Sequence, residues 1–265
     1  MLFDIILLFV FAVLVFVFHL PSFYFLLFVP YLVFKYHLLQ FLVVKFKDLV
    51  TYFKSVHSGT YFKRIYGIYG IVGEYGQGKT IELSRQFLKL KRKTKFHNPD
   101  NYIFVSNYGL SDTLPFKTLA DVLAYYRMAV KNNKGLIVFW DEIQNEFPEN
   151  DKSFPSEFRV LLTQNRKFYG VRLLWSTQDY TRVNKNLRLM TTVVTQMRCL
   201  FSRYMIASFF KRAVYEDYYD TTDITRKIKK RSFFTLTYIQ TDYLRSVFDS
   251  FKMLDISKQR LGISD

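Results

Sequence analysis

Apolar positions fall along this chain in two regimes. From residue 5 to residue 34 they are nearly continuous, interrupted by His19, Pro21 and Ser22. From about residue 63 onward they come in short blocks, separated by stretches where they recur every three or four positions. The blocks at 65–72, 101–106, 136–140, 171–177, 192–200 and 233–239 read as strands. A helix is expected to begin near Lys79, because Ile81, Leu83, Phe87, Leu88 and Leu90 sit among polar residues as on an amphipathic face. A second follows Thr118, with Leu119, Val122, Leu123 and Tyr126 at helical spacing. A third spans 154–168, with Pro155 in its first turn. Strands alternating with helices predict an α/β fold, a parallel sheet covered by helices on both faces. A ligand then sits at the carboxyl ends of the strands. After Arg203 the periodicity weakens.

The first regime changes the picture most. A bilayer core takes about 20 apolar residues as helix, and the run at 5–34 is too uniformly apolar for an amphipathic helix. It predicts either one kinked transmembrane helix or a helical hairpin with arms at 2–20 and 23–44. Lys35, Lys45 and Lys47 follow the run and would place the downstream domain in the cytoplasm. A cleaved signal peptide is disfavoured, since no basic residue precedes the run. The expected organisation is a membrane-anchoring segment at 1–47, a connector at 48–62, a globular core at 63–202 and a C-terminal basic extension at 203–265.

Charge adds a partner. The chain carries +16; Lys35, Lys45 and Lys47 against Asp4 and Asp48 leave +1 in the first fifty residues, so +15 belongs to the rest. That excess implies nucleic acid or acidic membrane lipid. The run from Arg226 to Arg231 is the candidate nucleic-acid contact, and the cluster Lys89, Lys91, Arg92, Lys93 and Lys95 is either a solvated helix end or a phosphate- or lipid-facing patch. Cys199 is the only cysteine, which excludes an intrachain disulfide, and His19, His37, His57 and His97 show no metal-ligand spacing.

Two stretches carry chemistry. Gly73-Glu74-Tyr75-Gly76-Gln77-Gly78-Lys79-Thr80 has the form G-x-x-x-x-G-K-T between an expected strand and an expected helix. Its glycines free the backbone to turn N–H groups toward an anion, Lys79 reaches β- and γ-phosphates, and the Thr80 hydroxyl is a Mg²⁺ ligand. Leu136-Ile137-Val138-Phe139-Trp140-Asp141-Glu142 has Walker B form, an apolar strand ending in two carboxylates. Asp141 would hold Mg²⁺, directly or through water, opposite Thr80, and Glu142 would act as general base on water. Gln178, at the tip of the strand at 171–177, would sit beside these carboxylates. No arginine falls in loops assignable to the chain's own pocket, which makes Arg166 the candidate for action on a neighbouring subunit's nucleotide. Arg172, Arg182 and Arg188 come next.

Several stretches resemble a known family. The segment from Arg166 to Gln178, with Arg166-Lys167 before a turn at Gly170 and an apolar strand ending in Thr177-Gln178, resembles the FtsK–HerA class of DNA-pumping P-loop ATPases. The stretch Trp140-Asp141-Glu142-Ile143-Gln144-Asn145-Glu146-Phe147-Pro148, together with Thr181 to Arg188, is similar to its zonula-occludens-toxin-like branch of filamentous-phage morphogenesis ATPases. The resemblance covers roughly residues 65–200. It implies a RecA/ASCE-like core that hydrolyses ATP with Mg²⁺. It also implies a hexameric homo-oligomeric ring in the host inner membrane that extrudes single-stranded phage DNA with other virion assembly proteins. The N-terminal apolar segment departs from the branch, where the span follows the ATPase domain. That order resembles conjugative coupling proteins, so a coupling or genome-packaging ATPase is the alternative. A membrane scaffold using nucleotide without motor activity is the other, and an intact Glu142 argues against it.

Overall fold

In the computed structural model the chain divides into two units, Met1–Tyr61 and Phe62–Asp265; residues 38–58, 64–95, 101–151, 153–220 and 231–249 are described. In the first unit, Leu38–His57 forms helix α1. Lys54 and His57 lie in its last turn, where cations offset the helix dipole. Phe41, Leu42, Phe46 and Phe53 on α1 are all exposed. The expected boundary at 47/48 falls inside this helix. The apolar run at 5–34 lies outside the described residues, and among the described residues no helix is long and apolar enough to cross a membrane.

In the second unit the elements are β1 (Gly67–Val72), α2 (Lys79–Lys95), β2 (Tyr102–Ser106), β3 (Gly109–Leu110), β4 (Leu114–Pro115), α3 (Leu119–Lys131) and β5 (Gly135–Trp140). Then follow α4 (Ser156–Thr163), β6 (Val171–Thr177), α5 (Lys185–Met190), β7 (Val193–Leu200), β8 (Tyr204–Lys211), α6 (Arg212–Asp220), β9 (Phe234–Ile239), α7 (Asp242–Ser246) and β10 (Phe248–Asp249). Eight strands make one sheet in the order β4-β2-β5-β6-β1-β7-β8-β9. Strands β4 to β7 are parallel, and β8 and β9 are antiparallel additions. The sheet is therefore mixed rather than wholly parallel. The link from β7 to β8 is three residues long, and a parallel crossover needs a dozen or more. The expected break at 202/203 thus lies in a hairpin turn, and the strands on its two sides are paired.

Both faces are covered. One carries Ile68, Val138, Trp140, Trp175 and Val194 against Val122, Phe158, Leu187 and Tyr215. The other carries Ile71, Ile137, Phe139, Met197 and Met205 against Leu83, Phe87 and Leu90 of α2. Strand β1 can be glycine-broken because Trp175 of β6 lies over Gly70, where a Cβ would come within 2.5 Å of its ring. Thr118 caps α3 in a capping box with Asp121. Helix α4 stops at Thr163, short of the expected 168, since Phe168 and Gly170 both take left-handed backbone before β6.

Candidate functional site

The parallel register places the chemistry. Val72 pairs with Thr177 and Trp140 with Trp175, so β1, β5 and β6 end side by side. The loop Gly73–Thr80 leaves β1 and enters α2, and the Gly73 N–H donates to the Thr177 carbonyl at 3.3 Å. Gly76 and Gly78 have φ of 72° and 78°, a region that L side chains rarely adopt. At Gly78 a Cβ would also meet the Met205 methyl at 2.3 Å. Tyr75 is exposed at the loop's crest.

Lys79 is buried, with its ammonium 3.2 Å from the Glu74 carbonyl and 3.5 Å from Glu142 Oε1. Its Nζ lies 5.6 Å from the centre of the Tyr75 ring. The Thr80 hydroxyl donates to Asp141 Oδ2 at 2.9 Å. The other Asp141 oxygen accepts from the Ser176 hydroxyl, and Asn107 grips the Asp141 backbone at 2.7 and 2.8 Å. Burial pushes the Asp141 carboxyl above its ordinary value; Glu142 adds to this, while Ser176, Thr80 and Lys79 oppose it. Glu142 sits at φ 53°, its N–H held by the Ser176 hydroxyl at 3.0 Å, and Gln144 donates to its Oε2.

This arrangement fits a metal triphosphate. A hydroxyl and a buried carboxylate 2.9 Å apart match Mg²⁺, which takes one or two protein oxygens and completes its shell with water and phosphate. The desolvated carboxylate gains most from a cation. Among the described residues no group of three or more His, Cys, Asp or Glu could hold a metal by itself.

A cavity of about 530 Å³ opens beside the first half of the loop, lined by Gly73, Glu74, Gln77, Gln178, Asp179 and Arg198, with others of β7. Gln178 therefore stands at the site, next to the loop. An arginine does line the cavity, from a strand rather than a loop: β7 runs on past the end of β1 and carries Arg198 there. Arg166 is not brought to this site. It is exposed in the turn after α4, its guanidinium 4.9 Å above the Tyr66 ring just ahead of β1. Glu157, its conceivable carboxylate partner, pairs instead with Arg127 at 3.3 Å. Arg172 lies over Tyr69, Arg182 is exposed, and Arg188 is buried against Glu216 at 3.4 Å. The Arg226–Arg231 run lies outside the described residues except Arg231.

The site also draws in residues that sequence reasoning missed. Ser176, Asn107 and Gln144 are scattered small polar residues with no motif around them. Glu82 in the first turn of α2 is fully buried, bonded to Arg85 at 2.7 and 2.6 Å, Gln86 at 2.7 Å and Tyr238 of β9 at 2.7 Å. Gln77 accepts from the Cys199 N–H at 2.7 Å. Beyond the site, Phe147 stacks on Phe158 with ring centres 5.0 Å apart, Pro148 bridges to Val183, and the Asn184 N–H reaches the Phe147 carbonyl at 3.0 Å. The two stretches of the branch resemblance thus pack on each other.

No protein-family model and no curated protein matches the chain. Among solved structures, the chain is similar to the N-terminal domain of zonular occludens toxin from Neisseria meningitidis, at 17% identity and a TM-score of 0.47, over 70% of this chain and 100% of that one. It is similar to the genome packaging NTPase B204 from Sulfolobus turreted icosahedral virus 2 in complex with ATP-gammaS, at 16% identity and a TM-score of 0.35, over 51% and 76%. A third is EssC (ATPases 2 and 3) from Geobacillus thermodenitrificans, at 13% identity and a TM-score of 0.38, over 74% and 43%.

Proposed function

We propose that this chain is a Mg²⁺-dependent ATPase motor, anchored in a membrane by its apolar N-terminus, that works as a homo-oligomeric ring to move DNA during virion assembly. The observation that carries the ATPase reading is the convergence of Lys79, Thr80, Asp141 and Glu142, linked by the contacts at 2.9 and 3.5 Å. The motor, membrane and virion parts rest on the sequence resemblance, the basic charge and the apolar run.

Bound Mg²⁺-ATP would supply the scissile anhydride and the cation that neutralises its phosphates. The chain's own groups do the rest. Lys79 turns from the Glu74 carbonyl toward the β- and γ-phosphates, and the N–H groups of 74–80 cradle them at the α2 N-terminus. Thr80 and Asp141 would hold the metal. Glu142, freed from Lys79, takes the proton of the attacking water through its carboxylate. Gln178 orients that water from the tip of β6. Ser176 fixes Asp141 and Glu142 together, because its one hydroxyl bonds both. Arg166, some six strand residues from the loop at the far end of β1, would serve a neighbouring subunit rather than its own.

The test is hydrolysis by the full chain in detergent. Lys79→Ala should lose nucleotide binding. Glu142→Gln should bind Mg²⁺-ATP but not turn it over, since an amide cannot accept the proton. Unchanged turnover in Glu142→Gln would remove the base assignment. Nucleotide-dependent assembly without any wild-type turnover would favour the scaffold reading.

A further inference from the structure

Strands β7, β8 and β9 form a meander whose two faces differ. Cross-strand register puts Cys199, Met205 and Tyr238 on one face, toward the P-loop and α2. It puts Leu200, Tyr204 and Ile239 on the other, where they are 45%, 42% and 62% exposed. At the turn, Phe201 is 95% exposed. We propose that this tip and outward face, built from Arg198, Leu200, Phe201, Arg203, Tyr204 and Ile239, grip single-stranded nucleic acid. The proposal rests on the nucleic-acid part of the function proposed above.

The turn is built to present Phe201. Phe201 and Ser202 have φ of 49° and 60°, a pair of left-handed positions that Asn and Gly fill at lower cost. The strained turn is braced from behind: Arg245 donates to the Ser202 carbonyl at 2.8 Å, and the Gln240 N–H donates to the Arg203 carbonyl at 2.8 Å. A rigid, strained turn that offers a phenylalanine to water marks a contact point.

Charge selects the partner. Arg198 alternates onto the same face as Leu200, where that face meets the rim of the cavity beside the loop; its side chain is exposed and makes no ion pair or hydrogen bond among the described residues. Arg203 is half exposed, and its partner Asp242 at 2.9 Å is itself 85% exposed, so an incoming phosphate can compete for it. Aromatic and apolar surface flanked by guanidinium groups suits unpaired bases, which stack while their phosphates pair. A duplex hides those base faces. The grip is also wired to the nucleotide: the residue before Leu200, Cys199, donates its N–H to Gln77 of the P-loop.

The test is fluorescence anisotropy of a labelled oligothymidine with the full chain in detergent, over a salt series, alongside sedimentation and basal hydrolysis. Phe201→Ala and Tyr204→Ala should each weaken binding about tenfold at every salt concentration, the scale of one lost stacking contact. Basal hydrolysis should persist, and Phe201→Tyr should restore affinity. Arg198→Ala should instead lower the slope of log affinity against log salt by about 0.7, one phosphate contact on a single strand. Wild-type affinity in both aromatic variants overturns this inference and leaves the function proposed above intact. No binding by the wild type overturns both. A variant that changes sedimentation or vesicle binding while holding the oligonucleotide normally makes the surface a subunit or lipid contact, and overturns the proposal.

Discussion

Thr80, in the first turn of α2, and Asp141, directly after β5, lie 61 positions apart in the chain and are joined by a 2.9 Å hydrogen bond, although β1, which leads into the loop before α2, does not touch β5. Strand β6 lies between β1 and β5, and it contributes Ser176 to the same carboxylate. Asp141 therefore sits in a dry pocket that suits a cation better than an empty charge.

Asp141→Asn should abolish Mg²⁺-dependent turnover yet raise the melting temperature of the nucleotide-free protein. Burial raises the folded carboxyl pKa above its unfolded value. Such a group contributes stability that is present below the unfolded pKa and lost as pH rises through the folded one. The gap between variant and wild type should accordingly be widest near neutral pH and close on acidification. Thermal melts across pH check this; a variant less stable than wild type at pH 7 would contradict it.

Ser176→Ala should lower kcat by about tenfold or more while KM changes little. Its loss leaves the Glu142 N–H and one Asp141 oxygen without their partner, a cost of about 1–3 kcal/mol for buried groups. Steady-state kinetics with Mg²⁺-ATP reads the split. A rise in KM alone would make Ser176 a binding residue instead.

Gly78→Ala should eliminate nucleotide binding, and adding Met205→Ala should not rescue it. The double variant removes the 2.3 Å clash but not the φ of 78°. Equilibrium binding of a fluorescent ATP analogue distinguishes the two causes: rescue by the second substitution would make sterics, not backbone conformation, the reason for glycine.

Tyr238→Phe should destabilise the fold by about 1.5–3 kcal/mol, the range for a hydrogen bond to a charged group. Tyr238 donates to the fully buried Glu82 at 2.7 Å, and burial followed by that carboxylate raises its own pKa. Denaturant unfolding measures the loss, and the KM for ATP should rise with it because Glu82 anchors the first turn of α2, two residues after Thr80.

Arg166→Ala and Lys79→Ala, each inactive alone, should recover hydrolysis when mixed and allowed to co-assemble. Arg166 rests on Tyr66 at the amino end of β1, away from its own site. Full activity of Arg166→Ala alone would leave it a surface cation and turn attention to Arg198, which already faces the pocket.

Most of the parallel half is legible in the sequence. Strands β1, β5 and β6 are almost wholly buried blocks, β2 and the first half of β7 are partly so, and both phosphate-site motifs are contiguous, so local pattern suffices. Strand β8 was not readable. Its burial alternates weakly, with Tyr204 exposed, Met205 buried and Ile206 between, because one face rests on the core and the other is open. Ser176, Asn107 and Gln144 escaped for another reason: each acts through a contact that only the register creates. The part played by residues beyond 202 escapes on the same ground: Met205 and Gln240 approach Gly78, and Tyr238 bonds Glu82 of α2, from a region that carries no motif.

The left-handed backbone at Glu142 sets chemistry against folding preference. Glycine or asparagine would adopt φ 53° with less strain, yet neither carries a carboxylate for the water. A population of variants screened only for solubility or heat resistance would drift toward those residues at position 142 and fill with stable, silent proteins. Glutamate persists there only under a requirement for turnover, so the residue found at this one position in a library records which selection the library has passed through.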